Sequence, residues 1–373
     1  MRVDKSKWEK SSIVDSCDIQ LGTRIVKKQA EEGCFSVYGG GGATFTTNTY
    51  NRENAILISR FALSKECTRF ISGKFYLNDS GLTLVPKNES LDFDFLKWQI
   101  FSLNDKIYEL ARGAAQKNLD MKRFPLLSIL VPTLSEQQAI VSELDAIQKM
   151  IDGYKAQIAD LDTLAQSIFL NTFGNVAVND KCWDIIPMGQ LGDLKNGLNY
   201  SKGERGKSLK IIGVGDFQNI KNLSSFDNIP SIEVEHIPRE YLLHNEDIVF
   251  VRSNGNKNLV GRCLEVYPNG TEVTFSGFCI RFRKLARIIN KYLIALLTDT
   301  GFKKAHILKS NGIGIQNINQ KLLGNLPIPV PPIELQQLFA SKVEVIEQQK
   351  EQIRLQLKDA ETLMAERMQY YFS

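Results

Sequence analysis

The chain has 373 residues, room for two or three ordinary domains, and is 43% hydrophobic and 24% charged, too apolar for a disordered protein. No apolar run approaches the roughly 18 residues a membrane helix requires, and the opening MRVDKSKWEKSS has no apolar core for a secretory signal. The net charge of +4 is modest, but it is unevenly distributed.

Residues 1–133 carry a net +4, 134–174 a net −4, 175–332 a net +6 and 333–373 a net −2. Two basic blocks are thus each followed by an acidic one. A basic block can hold a polyanion, although an ordinary mildly basic surface reads the same on charge alone. Cys17, Cys34, Cys67, Cys182, Cys263 and Cys279 include no C-x-x-C pair and no histidine at ligand spacing. This speaks against a zinc site or a disulfide framework and for a reducing cytoplasm. His236, His244 and His306 read as ordinary surface or packed imidazoles.

In the first block, Ala55–Ser59 and Leu82–Val85 read as short β-branched strands and Phe95–Leu110 as a helix. Ahead of them, Gly39–Gly42 reads as a loop. Val131-Pro-Thr-Leu-Ser-Glu-Gln-Gln138 then opens a long helix whose apolar positions are Ile140, Leu144, Ile147, Ile151, Tyr154, Ile158, Leu161, Ala165 and Ile168. Steps of four and three make a 3.5-residue seam, the coiled-coil period. The second block has strand-like runs at 210–214, 247–251 and 278–282, with a helix over Tyr292–Leu308. Val330-Pro-Pro-Ile-Glu-Leu-Gln-Gln337 follows, at a constant offset of 199 from the first copy. The equivalent seam is Phe339, Val343, Ile346, Lys350, Ile353, Leu357, Ala360, Met364, Arg367 and Tyr371, interrupted by Lys350 and Arg367.

Helices of about 38 residues, roughly 57 Å long, cannot hide an apolar stripe alone. They either pair with each other or each packs on its globular neighbour. The blocks repeat more faintly: Trp8 and Gly22 match Trp183 and Gly197, Ser80-Gly81 resembles Ser276-Gly277, and Gly113 and Asn118 match Gly312 and Asn317.

Catalytic signatures are missing. Ser201-Lys-Gly-Glu-Arg-Gly-Lys-Ser208 mimics a phosphate loop but has Ser201 where the first glycine is needed. Gly39–Gly42 lacks dinucleotide-binding spacing, and there is no Asx-Pro-Pro-aromatic, G-x-S-x-G or H-E-x-x-H motif. The chain reads as a binder.

The arrangement resembles the specificity subunit of type I DNA restriction–modification enzymes, over the whole chain. The resemblance is carried by Ile129–Pro132 with Glu136-Gln137-Gln138, Ile328–Pro332 with Gln336-Gln337, Val37–Gly42, and Trp183 with Leu191-Gly-Asp193. Thr133 stands where a second proline is usual, and Leu335 where a glutamate is usual. The resemblance implies an α+β, pseudo-two-fold protein: similar target-recognition domains at 1–133 and 175–332, separated by antiparallel coiled-coil helices at 134–174 and 333–373. It implies no catalysis in this chain. Two methyltransferase subunits would bring S-adenosylmethionine, and translocase/endonuclease subunits ATP and Mg²⁺.

Such a layout suits duplex DNA, with half-sites about one turn, roughly 34 Å, apart and the helix pair as ruler. Each domain needs phosphate anchors and base readers. The candidates are Tyr38, Gly40, Lys65, Arg69 and Lys74 in the first block. In the second they are Lys202, Arg205, Lys207, Arg252, Asn254, Asn256, Lys257, Lys309 and Asn311. Arginine suits guanine edges and asparagine adenine edges. Arg281 and Arg283 share a strand face and fit either a DNA contact or core-flanking structure. Glu136, Gln137, Gln336 and Gln337, with the acidic positions Glu143, Asp152, Asp160 and Asp162, are candidate contacts to partner subunits; a plain solvated helix face is the alternative. A coiled-coil scaffold binding protein or carbohydrate is the competing function, and a nuclease finds no defensible carboxylate–lysine cluster.

Overall fold

The computed structural model describes residues 3–113, 116–200, 206–217, 222–253, 259–285, 287–308 and 317–373. They form two units, residues 1–156 with 353–373, and residues 157–352.

In the first unit β1 (Glu9–Ser12) pairs antiparallel with β10 (Ser128–Val131), and the one-turn α1 (Ile13–Ser16) leads into the main sheet. That sheet comprises β2 (Cys17–Leu21), β3 (Phe35–Gly39), β4 (Gly42–Thr47), β5 (Arg52–Ser59), β6 (Thr68–Leu77) and β7 (Gly81–Pro86), in the order β2-β7-β5-β6-β3-β4. A short pair, β8 (Ala111–Arg112) and β9 (Asn118–Leu119), precedes β10. The unbroken apolar run in β5 is explained by its central place. Side chains alternate across a strand, so Ile56 and Ile58 enter the large core while Ala55 and Leu57 enter a small one on the other face with Phe75 and Leu77.

Two expectations are refined here. Gly39 and Gly42 pair as strand ends, so only Gly40 and Gly41 form the turn, and Gly42 takes φ +113°, where glycine is favoured. The helix expected over 95–110 is two, α2 (Phe93–Ser102) and α3 (Asn104–Glu109), broken at Leu103. The Asn104 carbonyl oxygen Oδ1 accepts from the N–H groups of Cys67 and Thr68 at 3.1 and 3.2 Å, which ties the break to the start of β6.

The second unit has its own entry pair, β11 (Asp184–Pro187) with β20 (Pro327–Val330), and the one-turn α5 (Met188–Leu191). The strands between are β12 (Gly192–Asn196), β13 (Lys207–Ile212), β14 (Asn222–Leu223), β15 (Ser231–Val234), β16 (Asp247–Val251), β17 (Cys263–Val266), β18 (Val273–Phe275) and β19 (Cys279–Lys284). They make a five-stranded sheet, β12-β19-β16-β17-β14, and a three-stranded sheet, β15-β13-β18. The order β12-β19-β16-β17 repeats β2-β7-β5-β6, and β14 joins β17 in parallel as β3 joins β6. β16 splits its residues as β5 does, with Ile248 and Phe250 to one core and Val249 and Val251 to the other. The helix expected over 292–308 is α6 (Asn290–Thr298), α7 (Thr300–Phe302) and a wider turn over Lys303–Leu308; α8 (Gln320–Gly324) precedes β20.

The long helices α4 (Leu134–Phe173) and α9 (Ile333–Phe372) are unbroken. Within the first unit they run antiparallel: Glu143 meets Arg367 and Tyr371, while Lys155 meets Glu361 at 3.4 Å. Ile147 and Ile151 pack there on Ala360, Leu357 and Met364. Within the second unit Asp162 meets Lys350, and Phe169 and Phe173 pack on Phe339, again antiparallel. The seam merges into the globular cores at its ends. Ile140 and Leu144 lie in the first core beside Tyr371 and Phe372, and Val343 lies against the second. Ile346 is buried, whereas Ile158, Leu161 and Ile353 are half-buried.

Lys350 and Arg367 do not break the seam. Lys350 is 2% exposed and donates to Asp162 at 2.8 Å and Glu347 at 3.0 Å. Arg367 donates to Glu143 and to the Tyr371 hydroxyl. Burial alone would raise the Glu143 carboxyl, but hydrogen bonds from Arg367 and Tyr371 outweigh it and hold the group at about 2. Among the described residues no helix is long and apolar enough to cross a membrane.

Candidate nucleic-acid interface

The site of each unit is organised by a tight turn before the last strand of its central sheet. In the first unit this is Asn78–Gly81, where the Gly81 N–H donates to Asn78 O at 3.0 Å. Gly22 N–H donates to Gly81 O and Thr23 N–H to Leu77 O. A Cβ on Gly22 would lie 2.0 Å from Asn78 O, so only glycine permits the approach. In the second unit the turn is Ser276–Cys279, with Cys279 N–H on Ser276 O at 2.8 Å. Gly197 N–H donates to Cys279 O and Leu198 N–H to Phe275 O, and a Cβ on Gly197 would again meet a carbonyl, Ser276 O, at 2.0 Å. Thus Asn78 corresponds to Ser276 and Gly81 to Cys279. The sequence match of Ser80-Gly81 with Ser276-Gly277 slips by two positions, because the turn is defined by its hydrogen bonds and not by that dipeptide.

Around Asn78–Gly81 the structure gathers several predicted residues. The Tyr38 carbonyl accepts from Asn78 N–H, and its ring packs edge-on against Phe75 at 5.4 Å. Gly40 is buried: its N–H donates to Ser80 Oγ and its carbonyl accepts from Ser59 Oγ and from Arg69 Nη2. Arg69 is therefore fastened to the glycine turn. Lys65 is exposed nearby in sequence. Lys74 is not part of this group; it lies five residues along β6 from Arg69, roughly 16 Å at strand rise, over the Tyr50 ring at 4.5 Å.

In the second unit, Arg252 N–H donates to Phe278 O in the turn, Leu198 forms a bridge with Ser276, and Ser253 with Asn317. The chain flanking the predicted basic stretches thus converges on one turn, where Phe278 is 63% exposed. Lys202, Arg205, Asn254, Asn256, Lys257, Lys309 and Asn311 lie outside the described residues. Lys207, the first residue of β13, is ion-paired with Glu272. Arg281 and Arg283 belong to the core-flanking alternative: Arg281 pairs with Asp193, and Arg283 binds both oxygens of Asp247 at 2.8 and 2.7 Å.

The candidate partner contacts need correction. Gln137 is 0% exposed; its Nε2 donates to Pro132 O and Ser90 O, and its Oε1 accepts from Asp92 N–H. Gln336 is 0% exposed and does the same with Pro331 O, Arg287 O and Ile289 N–H. Both fasten a loop to the start of a helix and have no free face for a partner. Glu136 takes hydrogen bonds from Thr133 N–H and Oγ1, a capping box, and its carboxyl is held low chiefly by the Thr133 hydroxyl. Thr133 and Glu136 act together, and in the second copy Pro332 and Leu335 replace both, with Leu335 packed on the core. Glu143 and Asp162 face Arg367 and Lys350. Gln337, Asp152 and Asp160 remain exposed.

Among the described residues no group of three or more His, Cys, Asp or Glu could hold a metal ion. The six cysteines are free thiols, and burial pushes Cys17 and Cys279 up to about 12 and Cys67 to about 11. What the turn sites offer is hydrogen-bond donors and positive charge.

The chain is 26% identical to the type I restriction enzyme StySPI specificity subunit of Salmonella potsdam, over 69% of this chain and 58% of that protein. It is 24% identical to the MjaVIII specificity subunit of Methanocaldococcus jannaschii, over 76% and 72%. It is 22% identical to the EcoKI specificity subunit of Escherichia coli K12, over 69% and 58%. The chain thus spans a little under three fifths of the length of two of these relatives. Its fold matches the S subunit of a type I restriction–modification system from M. genitalium, with a TM-score of 0.59, 19% identity and 100% and 98% coverage. A chain from a type I R-M system whose structure concerns complex assembly and conformational transition gives 0.56, 13%, and 98% and 97%. The sequence pattern of the type I restriction modification DNA specificity domain matches residues 5–162 and 180–359, and the chain belongs to that family.

Proposed function

We propose that this chain is the DNA-specificity subunit of a type I restriction–modification system, each unit reading one half of a bipartite, asymmetric DNA sequence. The observation that carries the reading is the repeated turn site. Two units share one strand order and one turn, with an arginine held beside it (Arg69 through the Gly40 carbonyl in the first, Arg252 through Phe278 O in the second), while the side chains around the turn differ. Equivalent scaffolds with unlike surroundings suit two unlike half-sites. In this reading the chain is not itself an enzyme. It works in the cytoplasm with two methyltransferase subunits, which carry S-adenosylmethionine, and with translocase/endonuclease subunits, which carry ATP and Mg²⁺. Of the candidate contacts on the helices, the exposed Gln337, Asp152 and Asp160 are the ones open to such partners.

Filter binding of the full chain to duplex DNA across a salt series tests the reading. Affinity should fall steeply as salt rises, because each neutralised phosphate releases counterions. Salt-insensitive binding to protein or carbohydrate, with none to DNA, would establish the scaffold alternative. Cleavage of DNA by the purified chain with Mg²⁺ would contradict the non-catalytic assignment.

A further inference from the structure

We propose that Arg60 and Arg252 are equivalent phosphate anchors, one guanidinium per unit held against the repeated turn to receive a phosphate of the DNA backbone. The assignment rests on the specificity reading above and deepens it.

The two arginines match bond for bond. Each follows the central strand of its sheet, β5 or β16. The N–H of Arg60 donates to Ser80 O and that of Arg252 to Phe278 O, both at 2.8 Å and both to the third residue of the turn. The Arg60 carbonyl accepts from Leu119 N–H and the Arg252 carbonyl from Ile318 N–H, both at 2.8 Å. Each Nη1 reaches the carbonyl of the second turn residue, Asp79 or Gly277, at 3.4 Å. Each Nε is buried with no hydrogen-bond partner among the described residues.

Neither has a carboxylate partner among the described residues, whereas Arg112, Arg281, Arg283 and Arg367 each have one. A guanidinium drawn partly out of water carries a desolvation cost, which an anion arriving at its outer face would offset. In the first unit the Arg60 guanidinium also lies 4.7 Å from the Phe61 ring. Sequence alone suited Arg252 to a guanine edge. The equivalence argues otherwise. A residue kept in the same bonds in both units, while its neighbours differ, fits what two unlike half-sites share, and that is the sugar–phosphate backbone.

The test is fluorescence anisotropy with the full chain, on a duplex carrying the sequence whose methylation it directs and on a scrambled duplex of equal length. Arg60→Gln and Arg252→Gln should each lower the slope of log affinity against log salt by about 0.9 on both duplexes, with about tenfold weaker binding. Arg60→Lys and Arg252→Lys should keep the slope, the methylated sequence should be unchanged, and thermal melting should stay within a few degrees of wild type. Unmoved slopes in the glutamine variants, with the wild type binding normally, would overturn the assignment alone. So would a loss confined to the specific duplex with relaxed recognition of one base pair, the mark of base reading, or an equal loss in the lysine variants, the mark of a folding role. A wild-type chain with no salt-dependent binding to either duplex would overturn the specificity reading and this assignment with it.

Discussion

Gln137 and Gln336, 199 positions apart in sequence, make the same three hydrogen bonds: Nε2 donates to a carbonyl five residues back and to a loop carbonyl, and Oε1 accepts a loop N–H. Both are fully buried, so truncation leaves loop groups unmet. Gln137→Ala and Gln336→Ala should each cost about 3 kcal/mol in chemical denaturation, and Gln337→Ala, at an exposed position, less than about 0.5 kcal/mol.

Glu143 supplies a pH signature. Its carboxyl sits near 2 when folded, below its ordinary value of 4.5. A depressed carboxylate contributes stability above its unfolded value, and that contribution is lost as pH falls through the folded value. Glu143→Gln should therefore be destabilising at pH 7, and its deficit against wild type should shrink between pH 4.5 and 2. Melting curves over that range check it; a deficit independent of pH would contradict it.

Lys350 tests the seam in the second unit. Its partners Asp162 and Glu347 keep 44% and 33% side-chain exposure, so they can be rehydrated when the lysine is removed. Lys350→Met should be neutral or stabilising. Neutralising both partners, Asp162→Asn with Glu347→Gln, leaves a buried ammonium unpaired and should cost about 3–5 kcal/mol. Thermal unfolding of the full chain distinguishes the two.

Gly22 and Gly197 should respond alike. A Cβ at either position would meet a turn carbonyl at 2.0 Å. Gly22→Ala and Gly197→Ala should each destabilise by about 1–3 kcal/mol through overpacking, measured by denaturant midpoint, and each should weaken DNA binding by displacing the turn.

The helical seam and the central strands were legible because burial on both faces leaves a plain apolar signature, as in Ile56–Ile58 and Ile248–Val251. The repeat at offset 199 was legible too, but not the work of its glutamines. Whether Gln137 faces a partner or its own loop depends on residues 90–92 arriving above it, a tertiary fact that no spacing encodes. Lys350 and Arg367 read as interruptions because an ion pair inside a seam has the same sequence signal as a defect. Arg60 was missed because it sits in no local motif: Ser59-Arg60-Phe61 and Val251-Arg252-Ser253 share only the arginine, and their equivalence emerges from backbone hydrogen bonds to the turn. The match of Gly22 with Gly197 and of Asn118 with Asn317 framed that position on both sides and was the signal that could have led to it.

Sequencing of methylated adenines in cells carrying this chain together with type I modification subunits addresses the central claim most directly. One bipartite, asymmetric sequence should be methylated, and replacing residues 1–124 with the same block of a relative should change one half of it and leave the other intact. A methylation pattern that does not depend on this chain, or that survives the exchange unaltered, would contradict the account.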